Sequence, residues 1–353
     1  MGDIGSAVRA EALPAGFLDT VAAAPDRFAD AARTPQSRDL EVAGVRIRLT
    51  FAGPEMAAAL GRAFAHLLVS PGPEPDLEIR LWDAASSGTP APPLPADIPD
   101  EHGPSFLVRT PAGLAVAHSA SASVSLLDPS GRIAHHWVTD ATRIPYWERA
   151  APLRFLLHAW LTGRGLLLVH AAAVGAVDGG VLMAGVGGSG KSTSALSCLL
   201  AGMSYAGDDY VVVGRTPGPA AYPIFGTGKM KPDDTALLPS LLEHVDNLDQ
   251  LPQEKAVIYV NEWLPDRIPQ RLPIRAVVLP RVTVGEPRLR PVSAGAALVG
   301  LAPSTIMQLG GGRQGALASM AALVEGLPAF ALETGSVPAA LPDAILGLLE
   351  GLP

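Results

Sequence analysis

The stretch "VLMAGVGGSGKSTSALSCLLAG", residues 181–202, decides the fold class of this chain. An apolar run fit for a buried strand leads into a glycine-rich turn, and a helical pattern ended by Gly202 leads out of it. Within it Gly185, Gly190, Lys191 and Ser192 satisfy GxxxxGK[ST], and the strand before and helix after are the context that gives this pattern its meaning. Backbone N–H groups of Gly185, Val186, Gly187, Gly188, Ser189 and Gly190, with the positive end of the helix, would surround phosphate groups. Lys191 would reach the outer phosphates, the Ser192 hydroxyl would ligate Mg²⁺, and Thr193 completes the first helical turn. The expected fold is therefore α/β, a mixed sheet with a P-loop and flanking helices, and the expected cofactors are ATP and Mg²⁺.

Working upstream, "GLLLVHAAAVGAVDGG" (165–180) holds an apolar run and an Asp178-Gly179 turn signal ahead of the loop strand, which is a hairpin signature. With Asp178 and Gly179 as the two turn residues, His170 falls opposite Gly187 and so beside the phosphates. Downstream, "MSYAGDDYVVVG" (203–214) reads as a returning strand with Asp208 and Asp209 in mid-run. Two carboxylates interrupting a strand are costly unless something uses them. One would accept the proton of an acceptor hydroxyl while the other supports the metal or orients the first, since successive strand residues face opposite ways.

Lysine placement adds to this picture. Of 26 basic residues only Lys191, Lys229, Lys231 and Lys255 are lysines, and all four lie within residues 191–255. Lys229 and Lys231, in "YPIFGTGKMKP", are candidates for contact with the terminal phosphate or the acceptor.

The rest of the chain bounds the function classes. With 353 residues, 48% hydrophobic and 17% charged, it is long enough for two packed domains. A net charge of −8 speaks against a nucleic-acid binder. No apolar run is long enough for a membrane span and "MGDIGSAVRA" lacks the build of a secretion signal, so a cytoplasmic protein is expected; its loose MGxxxS myristoylation pattern is set aside. Cys198, the single cysteine, reads as a buried structural thiol. Residues 1–145 are expected to form a small α+β domain: "LEVAGVRIRLTF" (40–51) as a strand, a helix from Pro54, a strand at 76–84, a proline-rich loop at 85–104 and a meander to about 140. There His135 and His136 read as sheet surface rather than metal ligands. "WERAAPLRFLLHAWLTGRG" (147–165) reads as an amphipathic helix opening the second domain, 146–353. "LGGGRQ" (309–314) reads as a glycine loop rather than an ABC-type signature.

The ordered set His170, GVGGSGKST and the paired aspartates of "AGDDYVVV" resembles the catalytic domain of the HPr kinase/phosphorylase family, closely over residues 165–215 and loosely beyond. The resemblance implies transfer of the γ-phosphate of ATP to a serine hydroxyl. It implies Asp208 as base, Asp209 as its metal-side or orienting partner, and His170 as the supporting residue that tunes the pair, with Ser192 and Asp209 the metal ligands expected. The family's N-terminal domain and later signature segment have no counterpart here, so neither the phosphorylase reaction nor HPr as acceptor is implied. The layout, with "RAVVLPRV" and "LAPSTIMQL" near the end, is similar to HPr-kinase-like enzymes of peptide natural-product clusters, some of which phosphorylate a lasso-peptide precursor. A peptide or protein serine is thus the expected partner, with the N-terminal domain recognising the substrate or its leader. A kinase of free serine or another small hydroxyl compound, and an ATPase switch without acceptor, are the alternatives; self-association is left open.

Overall fold

The computed structural model describes residues 16–91, 94, 105–309 and 313–352. They divide into two compact units, one ending at Trp160 and the other beginning at Leu161, later than the 145/146 boundary expected. Residues 1–15, and with them the myristoylation pattern, lie outside the described residues, as do most of the proline-rich loop and Gly310 to Gly312 of the "LGGGRQ" stretch.

The first unit is an eight-stranded sheet in the order β3-β1-β2-β4-β8-β7-β6-β5. Its strands are β1 (Gln36–Val42), β2 (Val45–Phe51), β3 (Leu68–Val69), β4 (Leu77–Asp83), β5 (Ser105–Thr110), β6 (Gly113–His118), β7 (Ser123–Leu127) and β8 (Ile133–Val138). Helices α1 (Phe17–Ala22), α2 (Ala24–Ala31), α3 (Pro54–Leu60), α4 (Ala84–Ser87), α5 (Tyr146–Ala150) and α6 (Arg154–Thr162) accompany it, the last running just past the boundary. The expected single strand at 40–51 is instead a hairpin, because Ala43 and Gly44 both take positive φ, 52° and 77°, and turn the chain in two residues. The expected helix at 147–165 breaks into α5 and α6 near Leu153, whose φ is 61°.

His135 and His136 are not sheet surface: they are 3% and 2% exposed. Burial lowers both imidazoles to about 4, so they are neutral at physiological pH. His136 Nδ1 shares a hydrogen bond of 2.8 Å with the Ser125 hydroxyl. His135 packs edge-on against Trp82, which stacks on Trp137 with ring centroids 5.0 Å apart. Both faces of this sheet carry cover, which alternation along one strand does not report.

The second unit is built on a nine-stranded mixed sheet. Its strands are β9 (Leu167–Val169), β10 (Ala172–Ala176), β11 (Gly179–Met183), β12 (Ser204–Gly207), β13 (Val211–Gly214) and β14 (Ala220–Pro223), then β17 (Leu272–Arg281), β18 (Arg288–Val292) and β19 (Ala329–Glu333); β15 (Thr227–Met230) and β16 (Ala256–Tyr259) pair separately. The helices are α7 (Lys191–Leu200), α8 (Val260–Trp263), α9 (Ala294–Leu309), α10 (Arg313–Glu325) and α11 (Leu341–Glu350). Along β10 and β11, Ala172, Val174, Val181 and Met183 pack toward one core with Leu196, Leu199 and Ile345, while Ala173 and Leu182 pack toward another with Leu301 and Met320. Helices thus cover both faces, which is why these strands read as unbroken apolar runs. Cys198 belongs to the first of these cores, and burial pushes its thiol up to about 12.

Strand directions gather the chain ends that matter. β11 runs parallel to β17, and β17 parallel to β19, while β10 lies antiparallel between β11 and β12. The glycine loop after β11, the aspartates after β12 and His170 before β10 therefore all lie at the carboxyl edge of β11. Among the described residues no helix is long and apolar enough to cross a membrane.

Candidate functional site

The β10–β11 ladder sets the histidine. Ala172 pairs with Met183 and Ala176 with Gly179, so the turn residues are Val177 and Asp178 rather than Asp178 and Gly179. Gly179 instead opens β11 at a φ of 133°, where a Cβ would lie 2.9 Å from the Arg275 side chain. The register is two positions away from the one expected, and the ladder ends at Ala172, so His170 lies just before it and is not paired with Gly187. Its backbone N–H donates to the Thr305 hydroxyl at 3.1 Å and its Nε2 lies 3.0 Å from Asp209 Oδ1. The ring is 5% exposed and its Nδ1 has no hydrogen-bond partner among the described residues.

Gly185, Gly188 and Gly190 take φ of 152°, 83° and 101°, which other residues rarely adopt and which bends the loop into a cradle. Val186, Gly187 and Gly188 are exposed. A Cβ at Gly187 would meet nothing within 4 Å, whereas one at Gly188 would lie 3.1 Å from Lys231 Nζ. The exposed ammonium of Lys231 thus overhangs the loop. Helix α7 starts at Lys191 with no side-chain cap on its free N–H groups, and the buried Ser189 hydroxyl has no partner among the described residues. Lys191 is 6% exposed and donates from Nζ to the carbonyls of Gly185 at 2.7 Å and Val186 at 3.2 Å. Burial lowers its pKa, against the pull of Asp209 and Asp208. Thr193 turns its hydroxyl to Asp234 Oδ2 at 3.3 Å.

Asp208 and Asp209 do not continue one strand. They form the joint where the chain leaves β12, paired to β10, and enters β13, paired to β9 and β14. Asp208 is 2% exposed; its Oδ1 accepts from the Tyr205 hydroxyl at 3.0 Å and its Oδ2 from the Lys229 backbone N–H at 3.1 Å. Burial and the neighbouring Asp209 charge raise its pKa, and a hydrogen bond from the Ser192 hydroxyl offsets part of this. Asp209 keeps 23% of its side-chain exposure and meets Lys229 Nζ through Oδ2 at 2.8 Å. Burial works against its charge, yet the Lys229 ammonium and His170 hold its carboxyl well below the usual carboxylate range.

Of the residues singled out in the sequence, Ser192, Asp208, Asp209, His170 and Lys229 are linked by these contacts, Lys191 is held by the carbonyls of its own loop, and Lys231 sits over that loop. The Ser192 hydroxyl reaches Asp208, although the sequence reading joins it with Asp209. Tyr205, Asp234 and Thr305 escaped the reading: they are ordinary residues in their own segments, and only the tertiary fold brings them to the site. An uncapped ten-residue helix, an open glycine cradle, a buried unpartnered hydroxyl and two carboxylates beside a serine suit a triphosphate with a divalent cation, which commonly binds through one or two carboxylates and substrate phosphates.

Fold and site define a mixed α/β protein in which a glycine loop and an uncapped helix start lie at one sheet edge with an acid pair. No family model matches the chain and no curated protein matches it. Among solved structures it is similar to the HPr(Ser) kinase/phosphatase from Coxiella burnetii at 12% identity and a TM-score of 0.30, over 52% of this chain and 93% of that one. A likeness of that size assigns no activity, and the chemistry rests on the residues of this chain.

Proposed function

We propose that this chain is a Mg²⁺-dependent kinase that moves the γ-phosphate of ATP to a serine hydroxyl of a peptide or protein. The observation that carries the reading is a pair of adjacent carboxylates driven in opposite directions, one toward a proton and one toward permanent charge, at the sheet edge that bears the glycine loop. Perturbed carboxylates beside a phosphate cradle are the equipment of phosphoryl transfer, which asks mainly for position and charge neutralisation.

When bound, ATP supplies the phosphoryl group and Mg²⁺ the charge that offsets its oxygens. The amides from Gly185 to Thr193 would hold the triphosphate with Lys191 and Lys231, and Ser192 and Asp209 would hold the metal. Asp208, with the higher proton affinity, accepts the hydrogen of the acceptor hydroxyl. His170 and Lys229 keep Asp209 anionic and fixed. Tyr205 makes room: its hydroxyl lies 3.0 Å from both Asp208 Oδ1 and the Thr227 carbonyl, so it can donate to the carbonyl and free Oδ1 for the acceptor. The first unit takes the role of recognising the acceptor or its leader.

Mass spectrometry after incubation of the full chain with ATP, Mg²⁺ and serine-bearing peptides, lasso-peptide precursors among them, tests this reading. The wild type should add phosphate to a peptide serine, and Lys191→Ala and Asp208→Asn should not. Release of free phosphate without an acceptor would make the chain an ATPase switch, and phosphorylation of free serine alone would make it a small-molecule kinase. A chain starting at Leu161 should keep ATP binding and lose acceptor use; loss of both, or of neither, would remove the first unit from acceptor recognition.

A further inference from the structure

We propose that the loops following β17 and β19, residues 282–287 and 334–337, seat the adenine base of ATP; this rests on reading the glycine loop as the triphosphate cradle. Because β11, β17 and β19 are parallel neighbours, the chain leaves all three at one edge, and ligands of such sheets lie outside the carboxyl ends of their strands. The two loops adjoin the cradle directly. A Cβ at Gly190 would lie 3.3 Å from the Thr334 methyl and 3.4 Å from a Val282 methyl.

The loops are tied to each other. Thr334 N–H donates to the Arg281 carbonyl at 3.0 Å, Gly335 N–H to the Thr283 hydroxyl at 3.1 Å and Ser336 N–H to the Gly285 carbonyl at 2.9 Å. Gly285 N–H returns a bond to the Ser336 hydroxyl at 3.0 Å. Gly335, with φ of 70°, presses against the Gly285 carbonyl so closely that a Cβ there would come within 2.5 Å of its oxygen. This braced pair nevertheless holds Val282, Val284 and Val337 at 63%, 90% and 55% exposure. Apolar side chains kept in water on a braced support, next to a polar cradle, fit a planar partner that arrives attached to the phosphates.

The opposite flank of the cradle cannot serve. It is lined by Asp208, Asp209, His170, Lys229 and Lys231, whose charges and hydrogen bonds suit the terminal phosphate and the acceptor, and an apolar ring there would strip water from them. The valine side is the one left for the base, and the triphosphate spans from it to the acid pair.

Titration calorimetry of the full chain with ATP and with tripolyphosphate, which lacks the base, separates the two readings. Val282→Ser with Val284→Ser changes only exposed side chains. It should weaken ATP binding by about ten-fold and leave tripolyphosphate affinity unchanged. Unchanged ATP affinity in a variant that still binds tripolyphosphate would overturn the base seat while sparing the cradle. Failure of the wild type to bind tripolyphosphate would overturn the cradle and the seat with it. A drop in apparent mass of the variant on size exclusion would make the valines an interface between copies, and would also overturn the seat.

Discussion

Replacing Asp208 by asparagine should stabilise the second unit while abolishing transfer. The carboxylate is 2% exposed and sits beside Asp209, which Lys229 and His170 keep charged. Its folded pKa lies above the unfolded value, so at neutral pH the native state bears the cost of an ionised buried group. The gain from removing the charge should be roughly 0.5–2 kcal/mol at pH 7, the usual range of a single stabilising substitution. The asparagine need not orphan Lys229 or Tyr205. Its oxygen can accept from the Lys229 N–H, and its amide can donate to the Tyr205 oxygen once that hydroxyl turns to the Thr227 carbonyl. In a Tyr205→Phe background that acceptor is gone and only the Ser192 oxygen remains for the amide, so the stabilisation should shrink by about 1–2 kcal/mol. The advantage of Asp208→Asn should shrink as pH falls through the raised folded pKa, since protonation relieves the wild type too. Hydrogen exchange of the amides in β12 and β13 under graded urea, at pH 7 and pH 5, reads this unit separately from the first. Equal destabilisation of about 1 kcal/mol or more in both backgrounds would show that the buried anion is itself stabilising, and would refute the reasoning.

Lys229→Met should have the opposite sign at Asp209, whose folded pKa is depressed. Stability should drop by roughly 2–4 kcal/mol at pH 7, with the deficit shrinking as acid protonates Asp209, as denaturant titrations at two pH values would show. Gly188→Ala should cost about 1 kcal/mol at its φ of 83° and push Lys231 off the loop, weakening tripolyphosphate binding in calorimetry without unfolding the chain. In the first unit His135 and His136 stay neutral to about 4 while the unfolded chain takes up protons near 6.5. Between pH 8 and pH 5 that unit should lose roughly 2 kcal/mol per histidine, and His135→Phe should remove about half of the slope seen in the fluorescence of stacked Trp82 and Trp137.

Local pattern carried the strand, loop and helix around Lys191, because glycine, lysine and apolar period are all written in adjacent residues. It also carried the meander of the first unit, whose turns use Gly113 and the Asp128 to Gly131 stretch. It failed where partners are distant. The break at Asp208 and Asp209 arises because β12 and β13 have different neighbours, and nothing in "AGDDYVVV" records which strands those are. The hairpin register slipped because Asp-Gly is a strong turn signal, but Gly179 serves a close approach of Arg275 instead. Nor does "GTGKMKP" record that the Lys229 ammonium pairs with Asp209 while Lys231 lies over the glycine loop.

The groups proposed for chemistry, from His170 to Lys231, come from one contiguous stretch of chain, while the valine loops belong to a later stretch beyond residue 281. On the proposed function, donor preference and transfer chemistry would be encoded in separate stretches. Exchanging residues 282–287 and 334–337 alone would then retune the nucleotide the proposed kinase accepts and leave the proposed transfer untouched.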